Sequence, residues 1–125
     1  MGLSLSLRID AITTNYEEPL ASDPFWQEDQ RLDNVYGTTS RIRNLITHLT
    51  GSVFRPNVHI ASSDDTGEFI FEDIHTGIAA LKELQYFPML EAIIPLLRYY
   101  ERLNLIDSAN SDYYTTRYRL VVCYH

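Results

Sequence analysis

The segment YYTTRYRLVVCYH, residues 113 to 125, decides the fold class that the sequence predicts. Its side chains alternate between two sets, as they do in a β-strand, where successive residues point to opposite faces of the sheet. Both sets contain aromatic or β-branched residues, which pack well on a pleated surface. We therefore predict a strand that lies in the centre of a sheet or at an interface.

A second strand is predicted at the start of the chain. Aliphatic residues alternate there with polar ones, so one face of the strand is apolar. Because both predicted strands have strong β character and an unpaired strand edge invites another chain, we expect a homodimer or packing through the tyrosine-rich end. The aliphatic positions are Leu3, Leu5, Leu7 and Ile9.

A helix and a hairpin are predicted next. The helix begins near Ser40 and ends at Gly51, and its aliphatic residues follow the spacing of one helical stripe. The hairpin joins short β-prone runs at residues 58–60 and 69–71 through a turn near residues 65–67. The stripe consists of Ile42, Leu45, Ile46 and Leu49.

Two more helices are predicted before the closing strand. Asp73 or Thr76 can cap the first of them, and Pro88 suits the opening of the second. Pro95 lies inside this last helix, where proline removes a backbone hydrogen bond, so we expect a bend near Glu91 or a restart at Pro95.

The order strand, loop, helix, hairpin, helix, helix, strand predicts an α+β fold, with a mostly antiparallel sheet that about three helices cover on one face. A length of 125 residues, 45% of them hydrophobic, suits a single domain over residues 1–125. Residues 17–37 contain two prolines and most of the acidic residues of the first third of the chain, and we predict a long acidic loop there.

The charge distribution limits the partners. The formal net charge is -7, and between Asp10 and Asp33 seven acidic residues accompany only Arg31. Such a segment repels duplex nucleic acid and favours a protein with a basic face. Since Cys123 is the only cysteine and no apolar stretch approaches the ~20 residues that span a bilayer, we expect a cytoplasmic protein without a membrane partner.

We predict a partner-binding surface from the acidic segment and the C-terminal tyrosines. Carboxylates steer a basic partner, and tyrosine forms contact surfaces at low entropic cost. The alternatives are that the tryptophan anchors the loop and that the tyrosines pack in the core. The candidate residues are Glu17, Glu18, Asp23, Trp26, Glu28, Asp29, Tyr99, Tyr100, Tyr113 and Tyr114.

A second candidate site lies at the start of the first helix. Hydroxyls, free backbone N–H groups and arginines there could hold a phosphate or another anion. We favour the alternative that Arg41 and Arg43 pair with acidic residues of the loop, namely Glu28, Asp29 or Asp33. The candidate anion ligands are Thr38, Thr39, Ser40, Arg41, Arg43, Asn44 and His48.

We predict neither a catalytic site nor a metal or cofactor. The four histidines lie on different predicted elements, and none has a metal-binding spacing. Cys123 and His125 share one face of the closing strand and could in principle make a thiolate nucleophile. A buried cysteine beside a chain end is the better interpretation.

Ile46-Thr47-His48 in the first helix, Ile94-Pro95-Leu96-Leu97 in the third and the closing strand carry a family resemblance. In these runs and in element order the chain resembles a group of small uncharacterised proteins of bacteriophages and their hosts. The resemblance implies a phage or bacterial setting and supplies no catalytic residues. Because no nucleophile, base and orienting group assemble from the sequence, we expect a non-enzymatic binding protein, an acidic phage-type or bacterial inhibitor that neutralises a host protein. The alternative is a protein that sequesters a phosphorylated or nucleotide small molecule.

Overall fold

In the part of the chain that the structure describes, five antiparallel strands form one sheet in the order β2-β1-β5-β4-β3. The computed structural model describes residues 3–15, 26–36, 39–51, 58–63, 65–82, 90–109 and 114–125. The strands are β1 (Leu5–Asn15), β2 (Gln27–Tyr36), β3 (Val58–Ser63), β4 (Thr66–Phe71) and β5 (Tyr114–Tyr124). The helices are α1 (Thr39–Gly51), α2 (Ile74–Lys82) and α3 (Leu90–Ala109). The predicted α+β class is confirmed.

The two strands predicted from the ends of the chain are neighbours in the interior of the sheet. β1 and β5 pair over their whole lengths, from Leu5 opposite Tyr124 to Asn15 opposite Tyr114. β5 also pairs with β4, and β1 with β2. The prediction of a central closing strand is confirmed. The premise of the predicted dimer, an unpaired edge on a terminal strand, is wrong, because among the strands described the edges are β2 and β3, and β1 and β5 are each paired on both sides.

The three helices described all contribute to a core on one face of the sheet. The aliphatic residues of β1 lie on this face, as the period of two predicts, together with alternate residues of β4 and β5. We call this the helix face. We call the opposite side, where the buried cluster of Ile70, Val121 and Cys123 contains no residue of a described helix, the open face. The largest fully buried side chains of the core on the helix face include Leu5, Leu7, Ile42, Leu49, Phe69, Phe71, Ile78, Leu97 and Leu120.

The boundaries of the helices follow local signals. Asp73 caps α2, since its carboxylate accepts hydrogen bonds from the backbone N–H of His75 at 3.1 Å and from the hydroxyl of Thr76 at 2.8 Å. α3 continues through Pro95 without the predicted restart. Pro95 is exposed and lies in the second turn of the helix.

The prediction of an acidic loop at 17–37 is wrong in its second half, because residues 27–36 form β2. Residues 16–25 lie outside the described part of the chain. β2 is rich in Asp, Asn and Gln, which are uncommon in strands, and it lacks a period of two in hydrophobicity. Its pairing with β1 and the packing of Leu32 against the core, opposite Leu7, stabilise a strand that local propensity opposes.

Candidate functional site

A β-bulge in β2 brings a carboxylate to the helix face. Ile9 of β1 lies opposite Gln30, whereas the next residue, Asp10, lies opposite Glu28, so Asp29 is an additional residue on β2. A bulge of this kind redirects side chains and strengthens the local twist. Consecutive residues Asp29 and Gln30 consequently approach the same group on α3.

That group is the hydroxyl of Tyr100. It donates a hydrogen bond of 2.6 Å to the carboxylate of Asp29 and lies 3.1 Å from Oε1 of Gln30. Burial of the ring, with the adjacent Asp29 carboxylate, holds the pKa of Tyr100 above its ordinary value. The hydroxyl therefore remains a donor at neutral pH and holds the exposed Asp29 carboxylate in place.

The position of Tyr100 depends on contacts between α3 and β5. Its ring centroid lies 4.9 Å from that of Tyr118. One helical turn after Tyr100, the side-chain amide of Asn104 donates a hydrogen bond to the backbone carbonyl of Tyr118 at 2.9 Å and accepts one from the backbone N–H of Tyr118 at 2.8 Å. These two hydrogen bonds attach α3 to β5 and so help to position Tyr100.

Tyr99 extends this arrangement to the surface. Its ring lies edge-on to that of Tyr100 with centroids 5.6 Å apart, and 49% of the residue is exposed. Asp29, Tyr99 and Tyr100, which the sequence assigned to the partner-binding surface, thus lie together. We call these three residues the tyrosine–aspartate surface. Tyr100 itself is buried, so its ring packs in the core, whereas Tyr99 is exposed.

The other predicted partner-binding residues do not join this surface in the described part of the chain. Glu28 lies on the open face, where its carboxylate accepts a 2.7 Å hydrogen bond from Arg31. Trp26 is half-buried, and the guanidinium of Arg119 stacks on its ring at 4.4 Å. Glu17, Glu18, Asp23, Tyr113 and the side chain of Tyr114 lie outside the described residues.

The sequence did not predict an ionic network on the open face. Asp10, which is buried, accepts hydrogen bonds from Arg8 at 2.7 Å and from Arg119 at 3.0 Å. Arg8 also donates to Glu68 of β4 at 2.8 Å. Two guanidinium groups and two carboxylates therefore connect β1, β4 and β5 without net charge. The alternation of β1 and β5 placed these arginines and Asp10 on one face, but only the strand register brings them together.

The predicted anion site at the start of α1 is only partly described. The guanidinium of Arg43 lies 3.2 Å from the carboxylate of Asp65, next to the turn of the β3–β4 hairpin. The prediction that Arg43 pairs with an acidic residue of the loop is therefore wrong, because Arg43 pairs with Asp65 instead. Of the expected loop acids, Asp29 contacts Tyr100 and Glu28 contacts Arg31. Ser40 and Asn44 are exposed and His48 is half-buried. Thr38 and the side chains of Thr39 and Arg41 lie outside the described residues.

The remaining chemical candidates offer no reactive group. Burial raises the pKa of the Cys123 thiol to about 11, so at neutral pH it is protonated and a poor nucleophile. Across the described ranges, no three His, Cys, Asp or Glu side chains have the grouping of a metal site.

None of the helices described is both long enough and apolar enough to cross a bilayer.

The candidate site is therefore the tyrosine–aspartate surface. A bulged strand presents Asp29, the buried Tyr100 holds its carboxylate, and the exposed ring of Tyr99 lies against that of Tyr100. No model of a protein family, no curated protein and no solved structure matches this chain.

Proposed function

We propose that this protein is a non-enzymatic binding protein that recognises a basic face of another protein through its tyrosine–aspartate surface. The observation that carries the proposal is the 2.6 Å hydrogen bond from Tyr100 to Asp29, an exposed carboxylate at a strand bulge. A carboxylate that is already oriented loses little conformational freedom when a partner arginine or lysine binds to it.

Tyr99 provides the second element of recognition. Tyrosine is common among the residues that dominate binding energy, because its ring buries a large area and its hydroxyl still bonds to water or to the partner. Half of this residue is exposed, and its ring is supported by that of Tyr100. A partner side chain such as arginine could stack on Tyr99 while it pairs with Asp29.

The chemistry of Tyr100 supports binding more than catalysis. General bases and nucleophiles need a pKa close to the working pH, whereas the pKa of Tyr100 moves away from neutrality. The phenol is thus kept in its neutral form as a fixed hydrogen-bond donor.

Inhibition is the expected consequence of binding. Many basic protein faces bind nucleic acid, and an acidic protein that covers such a face excludes the nucleic acid. With a net charge of -7, this chain would also associate with a basic partner faster than a neutral protein would. This agrees with the phage or bacterial setting that the resemblance implies.

The test compares four immobilised proteins in capture from a bacterial lysate: wild type, Tyr99→Ala, Asp29→Asn and Glu91→Gln. Glu91 is an exposed acid in the first turn of α3, so Glu91→Gln controls for the loss of one charge. We expect wild type and Glu91→Gln to retain a basic protein at low salt. We expect the other two variants to bind it about ten-fold more weakly or worse.

The captured protein is then purified and mixed with wild type and duplex DNA. Displacement of the DNA by wild type, but not by Asp29→Asn, would support inhibition through this surface. Equal capture by all four proteins, with each variant folded by circular dichroism, would contradict the proposal.

A further inference from the structure

The edge strand β3 has an exposed side that its own sheet leaves without a strand partner in the described part of the chain. β3 pairs with β4 alone, and each of its six residues is exposed. Val58 and Ile60 are 46% and 50% exposed. They lie on the open face, because they oppose Ile70 and Glu68. The segment VHIASS contains no acidic residue, lysine, arginine or proline, the residues that usually protect an edge from strand addition.

Contacts on the helix face hold this edge in a defined position. The ring of His59 stacks on Phe69 with centroids 4.1 Å apart, and its Nε2 lies 3.0 Å from the hydroxyl of Tyr124. Gly67 leaves room for the Tyr124 side chain, which an added Cβ would contact. From Val58 to Ala61, before the register shift between Ala61 and Ser63, β3 is therefore already in the extended conformation that a pairing strand requires, so pairing there costs little additional ordering.

We infer that β3 pairs with β3 of a second copy of this chain, in an antiparallel arrangement that continues the sheet across a two-fold axis. The charge distribution favours this occupant over a basic protein. The neutral strand offers no charge for a basic partner to recognise, and two copies of it bring no like charges together. The acidic strand β2 lies four strand spacings away, about 19 Å, so the acidic edges of the two copies remain far apart.

The symmetry predicts a register. In an isologous antiparallel pair, residue i of one copy opposes j of the other, and j opposes i. With His59 on the axis, Val58 of each copy lies opposite Ile60 of the other, and all four aliphatic side chains share the open face. An interface of one strand pair is small, so we expect association in the micromolar range or weaker.

The test is sedimentation velocity of the full chain from low to high micromolar concentration. Wild type should approach the mass of a dimer as the concentration rises. Ile60→Lys and Val58→Lys should each raise the dimer dissociation constant at least ten-fold, because they place like charges next to the axis. Leu105→Lys, at a residue on α3 that is 66% exposed, is the matched control and should dimerise like wild type.

Disulfide formation then tests the register. A mixture of Val58→Cys and Ile60→Cys should cross-link faster than either variant alone, while wild type, with its buried Cys123, should not cross-link. A wild type that stays monomeric at high concentration overturns the inference. Dimerisation of both β3 lysine variants at wild-type strength, or its loss in Leu105→Lys, overturns it as well.

Discussion

The two edges of the sheet differ in how they meet other molecules. β2 carries three carboxylates and one guanidinium, and two register shifts interrupt its pairing with β1. β3 is shorter and uncharged, its pairing with β4 is regular from Val58 to Ala61 and shifts register only between Ala61 and Ser63, and two of its aliphatic residues are exposed. Charge and irregularity discourage strand addition, so an edge such as β2 is suited to recognition by side chains. A neutral extended edge is suited to recognition by the backbone.

Charge has a different role between these edges. The network of Arg8, Asp10, Glu68 and Arg119 lies on the three interior strands β1, β5 and β4, and its groups satisfy one another. Not every acidic residue in the first third of the chain is therefore available to a partner. Asp10 has a structural role, whereas Asp29 is exposed.

The largest expected effect separates these two kinds of acid. Asp10→Ala leaves Arg8 and Arg119 without their shared carboxylate. Removing one partner of a buried ion pair costs about 3–5 kcal/mol. We expect the lower end of that range, because the two arginine side chains are 16% and 15% exposed.

Urea denaturation measures this loss. Asp33→Ala, whose carboxylate is exposed and lies 3.8 Å from Arg31, is the control and should cost less than about 1 kcal/mol. Equal destabilisation by the two variants would remove the distinction between structural and exposed acids.

A second prediction concerns the β3 edge. Gly67→Ala would place a methyl group against the Tyr124 side chain and 2.8 Å from the backbone carbonyl oxygen of Ile60. Overpacking of this kind costs about 1–3 kcal/mol. Because the clash displaces β3, we also expect weaker self-association. Denaturation and sedimentation measure the two effects, and Ala61→Ser, at the exposed position opposite Gly67, should change stability by less than about 0.5 kcal/mol.

The smallest effect belongs to the β2 side. Tyr100→Phe removes the hydrogen bond to Asp29 and should cost about 1 kcal/mol at neutral pH. The pKa of Tyr100 is raised in the folded state. The contribution of its hydroxyl to the free energy of unfolding is therefore fully present below the pKa of tyrosine in the unfolded chain, about 10, and is lost as the pH rises from there toward the folded-state pKa.

The free energy of unfolding of wild type should therefore fall above about pH 10, and more steeply than that of Tyr100→Phe. Tyr99→Phe keeps the Tyr100–Asp29 hydrogen bond and should follow wild type. Parallel curves for wild type and Tyr100→Phe would mean that this hydroxyl does not couple to folding.

Much of the architecture could be predicted from local patterns. The period of two identified β1 and β5, the helical stripe identified α1, and Asp73 marked the start of α2. β2 could not be predicted in this way, because its residues disfavour strands and its stability comes from pairing with β1. For the candidate site, composition indicated an acidic segment and a tyrosine-rich end, but not that Asp29 meets Tyr100.

The sequence by itself determined the fold class, the aliphatic face of β1 and the central character of β5, because side-chain periodicity is a local property. Only the tertiary structure decided which strands are edges, which acids are buried and which tyrosine is exposed. Those properties depend on strand order and register, which bring together residues such as Asp29 and Tyr100, or Asp10 and Arg119, that are far apart in the chain. A single bulged residue then placed one carboxylate on the helix face.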